Sequence, residues 1–249
     1  MISAEPWTVN DCGFINLLAT GEICEGDTIH DRQHPHDLVM ELAADYDRPL
    51  TAGLRWQVYA GLAGEPALGP SGFPHRLSAA PNPIAPITHH WLDASHITFG
   101  LITTGVYERR WKAELSVFNG REPDENRYNF EANPWTSRSA RLWFAPNDNW
   151  SMQVSHGFLG NPEALAPGDV RRTTASISYN RKFERGNWAS SLIWGRNHEG
   201  HDDEIFNLNG YVAESTVNFL DRNYLYTRLE LADKNQLLRD DDRAQLGLT

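Results

Sequence analysis

The chain has 249 residues, 40% hydrophobic and 22% charged, with 33 Asp+Glu against 22 Lys+Arg for a formal charge of -11. That acidic excess argues against a nucleic-acid partner, which needs a basic face to neutralise phosphates. Mean hydropathy is -0.53, and no run approaches the roughly 18 apolar residues of a membrane helix; a strand-built membrane protein stays open, because a barrel strand shows lipid only every second residue.

The amino terminus has no basic segment leading into an apolar run, so no secretory signal is present, and a processed or partial sequence is expected. Cys12 and Cys24 are too few for a disulfide framework or a Cys-based zinc motif. A single bridge between them is left open. No Ser/Gly-rich linker or like-charge run interrupts residues 1–249, and one β domain is expected.

A weak strand is predicted over Gly13 to Ala19, followed by the polar segment His30 to Asp37. Residues Leu38 to Asp47 then place Leu38, Met40, Leu42, Ala44 and Tyr46 on one face and Glu41, Asp45 and Asp47 on the other, the period of a half-solvated strand. After a turn at Pro49 to Ala52, Leu54, Trp56, Val58, Ala60 and Leu62 alternate with Arg55, Gln57 and Tyr59. A loop over 63–95 follows, in which Pro66, Pro70, Pro74, Pro81, Pro83 and Pro86 prevent regular pairing.

Beyond it, Trp111, Trp150, Trp188 and Tyr224 each open an alternating stretch after a polar turn, at spacings of 39, 38 and 36. Short turns near 108–110, 146–149, 184–187 and 221–223 alternate with longer polar loops near 121–136, 160–172, 197–204 and 233–243. Apolar sets such as Trp111, Ala113, Leu115, Val117 and Leu225, Thr227, Leu229, Leu231 recur against polar ones. With weaker strands at 97–106, 150–158, 188–196, 205–219 and 244–249, about twelve strands result, each near the ~10 residues that cross a bilayer. The predicted fold is all-β, an antiparallel up-and-down transmembrane β-barrel. The chain stops at Leu246 to Thr249 without a terminal aromatic, so a barrel incomplete at the C-terminus is expected. A soluble all-β fold is the structural alternative: a β-propeller needs four short strands per period of about 40 residues, whereas each period here supplies two long ones, and a soluble sandwich would not require turns and loops to segregate by end.

With short turns periplasmic and long loops, including 63–95, extracellular, two distant segments share one mouth. His30, His34, His36 and Asp37 then approach His89, His90 and His96, the predicted ligands of a divalent transition metal such as zinc, copper or nickel. As an alternative, these side chains hydrogen-bond loop backbone and pack the mouth, with His75 and Arg76 latching the long loop. In extended chain His89 and His90 point to opposite faces, and only one of them would join such a site. Glu41, Asp45, Arg55, Lys112, Glu114, Arg141, Arg228 and Glu230 fall on the inward positions, to line a small pore or interlock as a plug of salt bridges. Arg121, Glu122, Asp124, Glu125 and Arg127 form a charged loop start with two readings, a ligand-binding loop and, the weightier of the two, a solvated loop with internal ion pairs.

No Gly-x-Ser-x-Gly, phosphate-loop or dinucleotide fingerprint occurs. Ser155 and His156 are strand neighbours on opposite faces and make no nucleophile–base pair, which leaves His156 as a strand-end or lumen residue and a membrane-embedded hydrolase as the least supported reading. The sequence instead predicts a narrow channel or surface binding protein for a small polar solute or metal ion in outer-membrane lipid, with a plugged structural barrel as the alternative.

The blocks "HDRQHPHD" (30–37), "GEPALGP" (64–70), "HHWLDASHITFG" (89–100) and "FNGREPDENR" (118–127) resemble, in order and across nearly the whole chain, an uncharacterised family of Gram-negative outer-membrane barrel proteins. The resemblance implies an outer-membrane location and an association with metal-handling genes, and it supplies no catalytic residues.

Overall fold

A computed structural model describes residues 1–19, 22–165, 168–201 and 204–233. Its main feature is a ten-stranded antiparallel sheet in which every strand pairs with its sequence neighbours. The strands are β1 (Leu42–Pro49), β2 (Arg55–Gly64), β3 (Thr98–Glu108), β4 (Trp111–Phe118) and β5 (Ser137–Asn147), then β6 (Trp150–Leu159), β7 (Val170–Phe183), β8 (Gly186–His201), β9 (Glu204–Phe219) and β10 (Asn223–Ala232). Short turns join β1–β2, β3–β4, β5–β6, β7–β8 and β9–β10 at one end, and the segments 65–97, 119–136 and 160–169 lie at the other.

Among the described residues the sheet has ten strands, against about twelve expected over the whole chain, and it is not closed, since β1 and β10 are its two edges. The predicted crossing at Gly13 to Ala19 is only the pairing of Phe14–Ile15 with Arg32–Gln33. A bridge between Cys12 and Cys24 and a tight Glu22–Cys24/Asp27–Ile29 hairpin fold this region back on itself, leaving no length to span. β1 starts at Leu42 rather than Leu38, because the Met40 amide is taken by the Met1 carbonyl. The expected loop at 197–204 is instead mostly strand, with β8 and β9 paired from Gly186↔Phe219 to His201↔Glu204. The predicted strand at 244–249 and loop at 233–243 fall outside the described residues, save Asp233.

Side-chain alternation sets the two faces of the sheet. On the outer face Leu62, Leu115, Leu142, Leu192 and Leu229 are exposed, each by 47% to 69%. On the inner face Glu114, Ser116, Gln153, Ser155, Thr174 and Glu214 are buried. Aromatic side chains gather on the outer face near the short turns, where Tyr179 lies 4.8 Å from Trp150 and 5.4 Å from Trp188, ring to ring. Trp111 pairs with Phe144 across β4 and β5 on that face. Tyr224 departs from the rhythm: Leu225 pairs with Val217 and takes the outer position. His156 also belongs to the outer face, bonded to Thr173 Oγ1 at 2.9 Å, while neighbouring Ser155 accepts the Gly69 amide on the inner face. The lumen placement of His156 is corrected accordingly.

The inner face is covered by the proline-rich segment 65–97. Its prolines lack the N–H that a strand ladder needs, so its backbone is satisfied by side chains of the sheet. Ser116 and Ser155 accept the amides of Ala67 and Gly69 at 2.8 and 2.9 Å. Arg141 donates to the Gly69 carbonyl, Arg228 to those of Ile84 and Ala85, and Asn197 and Arg172 to that of His90. Leu68 sits among Leu101, Phe118, Leu159 and Val170, and Trp91 and Leu92 pack on Ile193, Leu208 and Val212. Arg76 is clamped between Asp93 and Glu214, its Nε 2.8 Å from Glu214. A glycine is required at 69, where φ is +83° and a Cβ would lie 2.3 Å from the Leu92 carbonyl oxygen. The segment is thus a plug against the sheet.

The predicted inward charges tie into this plug or to one another. Glu114 bridges Lys112 and Arg141 at 2.7 and 3.1 Å, and Arg141 reaches Glu65 at 3.6 Å. Arg228 pairs with Glu230 at 2.7 Å, and Glu230 accepts the Thr88 amide. At the other edge Arg55 pairs with Asp47, Asp45 accepts from Gln57, and Glu41 accepts the Tyr59 hydroxyl.

Candidate functional site at the loop end

Two histidine clusters form where the plug meets the amino-terminal segment and the 119–136 and 160–169 loops. Their separation follows from local backbone. His89 and His90 lie in a single helical turn, His89–Leu92, and successive helical side chains diverge by about 100°, so each enters a different cluster.

The first cluster surrounds Phe73, whose ring lies 5.8, 5.4 and 5.7 Å from those of His36, His89 and His96. His36 and His96 face each other with their Nε2 atoms 3.1 Å apart, and the His89 and His96 rings are 5.1 Å apart. Each Nδ1 has an oxygen acceptor: Glu5 for His36 at 2.8 Å, the Asp93 carboxylate for His89 at 2.7 Å, and the Asp93 carbonyl for His96 at 2.9 Å. Burial lowers the His89 pKa despite Asp93, and burial together with His89 and His36 holds His96 well below the ordinary imidazole range. For Asp93, burial acts upward but Arg76 and His89 outweigh it and hold the carboxyl well below the usual range.

The second cluster gathers His90, Glu122 and Glu163, whose potential ligand atoms all lie within 4.8 Å of one another. His90 Nδ1 is 3.2 Å from Glu122 and 3.1 Å from Glu163, and its Nε2 is buried without a hydrogen-bond partner among the described residues. Burial opposes a charged His90, but Glu122 and Glu163 outweigh it and bring its pKa to about 10. Burial and the nearness of Glu163 raise Glu122 well above the carboxylate range; for Glu163 burial is outweighed by His90 and the pKa falls.

The remaining predicted ligands lie apart. His34 pairs with Glu22 at 2.7 Å, and burial of Glu22 is outweighed by His34, which holds its pKa at about 2. His30 Nδ1 meets the Ala19 carbonyl at 3.1 Å. Asp37 faces Arg127 at 3.6 Å, and burial lifts its pKa to about 6. His75 is 3.8 Å from Glu65. Glu122 turns inward to His90 rather than staying in a solvated loop.

Glu5, Glu22 and Glu163 had no sequence signal, since each is a lone carboxylate whose partner is distant in the chain. Next to this region a cavity of about 700 Å³ is lined by His34, Arg121, Glu122, Asp124, Arg127 and Glu131, among others. No protein-family model matches the chain, and a search of curated proteins finds no match to it.

Proposed function

We propose that this chain forms wall strands of an outer-membrane β-barrel whose interior is occupied by its own segment 65–97, and that it acts at its loop end as a binding protein for a small polar solute or metal ion. The observation that carries this reading is the reversed polarity of the sheet. In water an antiparallel sheet buries its apolar face and exposes its polar one. Here leucines line the open face while Ser, Thr, Glu and Arg are buried beneath the plug, as in a barrel set in lipid. Aromatic residues near the short turns fit the interfacial girdle of such barrels. The Cys12–Cys24 bridge suits an oxidising compartment, and the loop-end cavity presents Arg121, Asp124, Arg127 and Glu131 to a solute.

Purified chain refolded into outer-membrane lipid is expected to insert and to show heat-modifiable mobility on gels. Chain that stays soluble and monomeric without detergent, and does not partition into vesicles, would refute the membrane reading. The plug makes a closed resting state, so planar bilayers should show no conductance. Gly195→Val should change that: a Cβ there would lie 2.1 Å from the Trp91 carbonyl oxygen and 2.6 Å from Leu92 Cδ2, lifting the helical turn off β8. Conductance steps are expected in this variant, and a wild-type protein that already conducts would favour the open-channel alternative.

A further inference from the structure

The His36–His96 contact has a donor–acceptor problem that the surrounding bonds define. A backbone carbonyl only accepts, so at 2.9 Å from the Asp93 carbonyl the His96 Nδ1 carries the proton. The Glu5 carboxylate accepts both the His36 amide and His36 Nδ1, each at 2.8 Å, which places a proton on that Nδ1 as well. In neutral rings both Nε2 atoms are then bare lone pairs, yet they face each other at 3.1 Å. Something positive belongs between them, either an added proton or a cation.

Three features favour a metal cation. Metal-bound imidazoles characteristically donate their other ring N–H to a carboxylate or carbonyl, which fixes the ring and raises its basicity. His36, His89 and His96 all carry that bond. Bonds of ~2.0–2.1 Å from one ion at a tetrahedral angle put two ligand nitrogens about 3.3 Å apart, within a few tenths of an ångström of the observed pair. His89, with Nδ1 bonded to Asp93, adds a third imidazole whose ring lies 5.1 Å from that of His96.

We infer that His36 and His96, with His89 beside them, form a binding site for one divalent transition cation of the zinc or copper type, oriented by Glu5 and Asp93. Neutral imidazole sets of this kind select those ions over magnesium or calcium. A filled site would tie the amino-terminal segment, through His36, to the plug, through His89 and His96. It deepens the reading above by naming the ligand, and the two fail separately, because metal binding and membrane insertion are measured independently.

The test is calorimetric titration of the refolded 249-residue chain with Zn²⁺ and with Cu²⁺, together with X-ray absorption of the loaded protein. One equivalent per chain at micromolar affinity or tighter is expected, with imidazole scattering in the absorption spectrum. His36→Ala and His96→Ala should each weaken binding at least tenfold, Glu5→Gln ~10-fold to 100-fold as an orienting residue, and His30→Ala and Glu163→Gln little. The β-sheet circular dichroism signal and tryptophan fluorescence check that each variant folds. Should His36→Ala or His96→Ala fold poorly, the imidazole scattering and the Glu5→Gln variant decide. No binding to folded wild type, binding untouched in a folded His36→Ala, His96→Ala double variant, or binding lost only in Glu163→Gln would each overturn the proposal; in the first case the pair shares a proton.

Discussion

Replacing Arg76 by methionine should destabilise the folded protein by about 3–5 kcal/mol, the usual consequence of removing one partner from a buried ion network. Arg76, Asp93 and Glu214 are 6%, 1% and 3% exposed, so the substitution strands two carboxylates where water cannot solvate them. Arg76 also donates to the Ser71 carbonyl at 2.8 Å, and Ser78 shares Glu214 at 2.8 Å, so the loss spreads through the middle of the plug. Urea unfolding in detergent, followed by tryptophan fluorescence, measures it. Adding Glu214→Met should recover part of the loss, because an unpaired charge costs more than its absence. A loss below about 1 kcal/mol would mean that the plug is held chiefly by its apolar clusters around Leu68 and Leu92.

Leu192→Arg separates the membrane reading from a water-soluble sheet. Leu192 lies near the middle of β8, is 60% exposed, and pairs with Ile177 and Ala213. An arginine on the lipid face of a barrel costs about 2–4 kcal/mol at the bilayer midplane. In water the same exposed position would tolerate it within about 0.5 kcal/mol. Folding titrations in lipid vesicles are expected to show the larger penalty, and a near-neutral effect there would remove lipid as the solvent of this face. Leu115→Arg on β4, also 60% exposed, should behave alike, with the two losses adding because the residues are far apart in the sheet.

The strands were legible because period-two alternation is a local property. Trp111 to Val117, Ala140 to Phe144 and Leu225 to Leu231 took the faces their alternation predicted. Short turns at one end and long connections at the other followed from the same pattern. Legibility failed where alternation did not report length or partners. The amino-terminal segment read as a strand but folds on its own disulfide-linked turn, and the Asn197 region read as a loop but continues the β8–β9 ladder, where Asn197 bonds the plug at the His90 carbonyl.

The histidines divide in the same way. Their gathering at one end followed from counting turns, and the prolines of 65–97 foretold that this segment would not pair as a strand. Neither property said where the segment would go. That it lies against the sheet depends on Ser116, Ser155, Arg141, Arg172 and Arg228 meeting its carbonyls and amides, contacts that span 49 to 144 residues of chain. The pairing of His36 with His96, and of His90 with Glu122 and Glu163, is equally non-local. Residue order sets which face of a strand each side chain takes, because that is decided within two residues. Which distant side chains meet is decided by how the plug seats, where many weak contacts act together and no single stretch of sequence carries the choice.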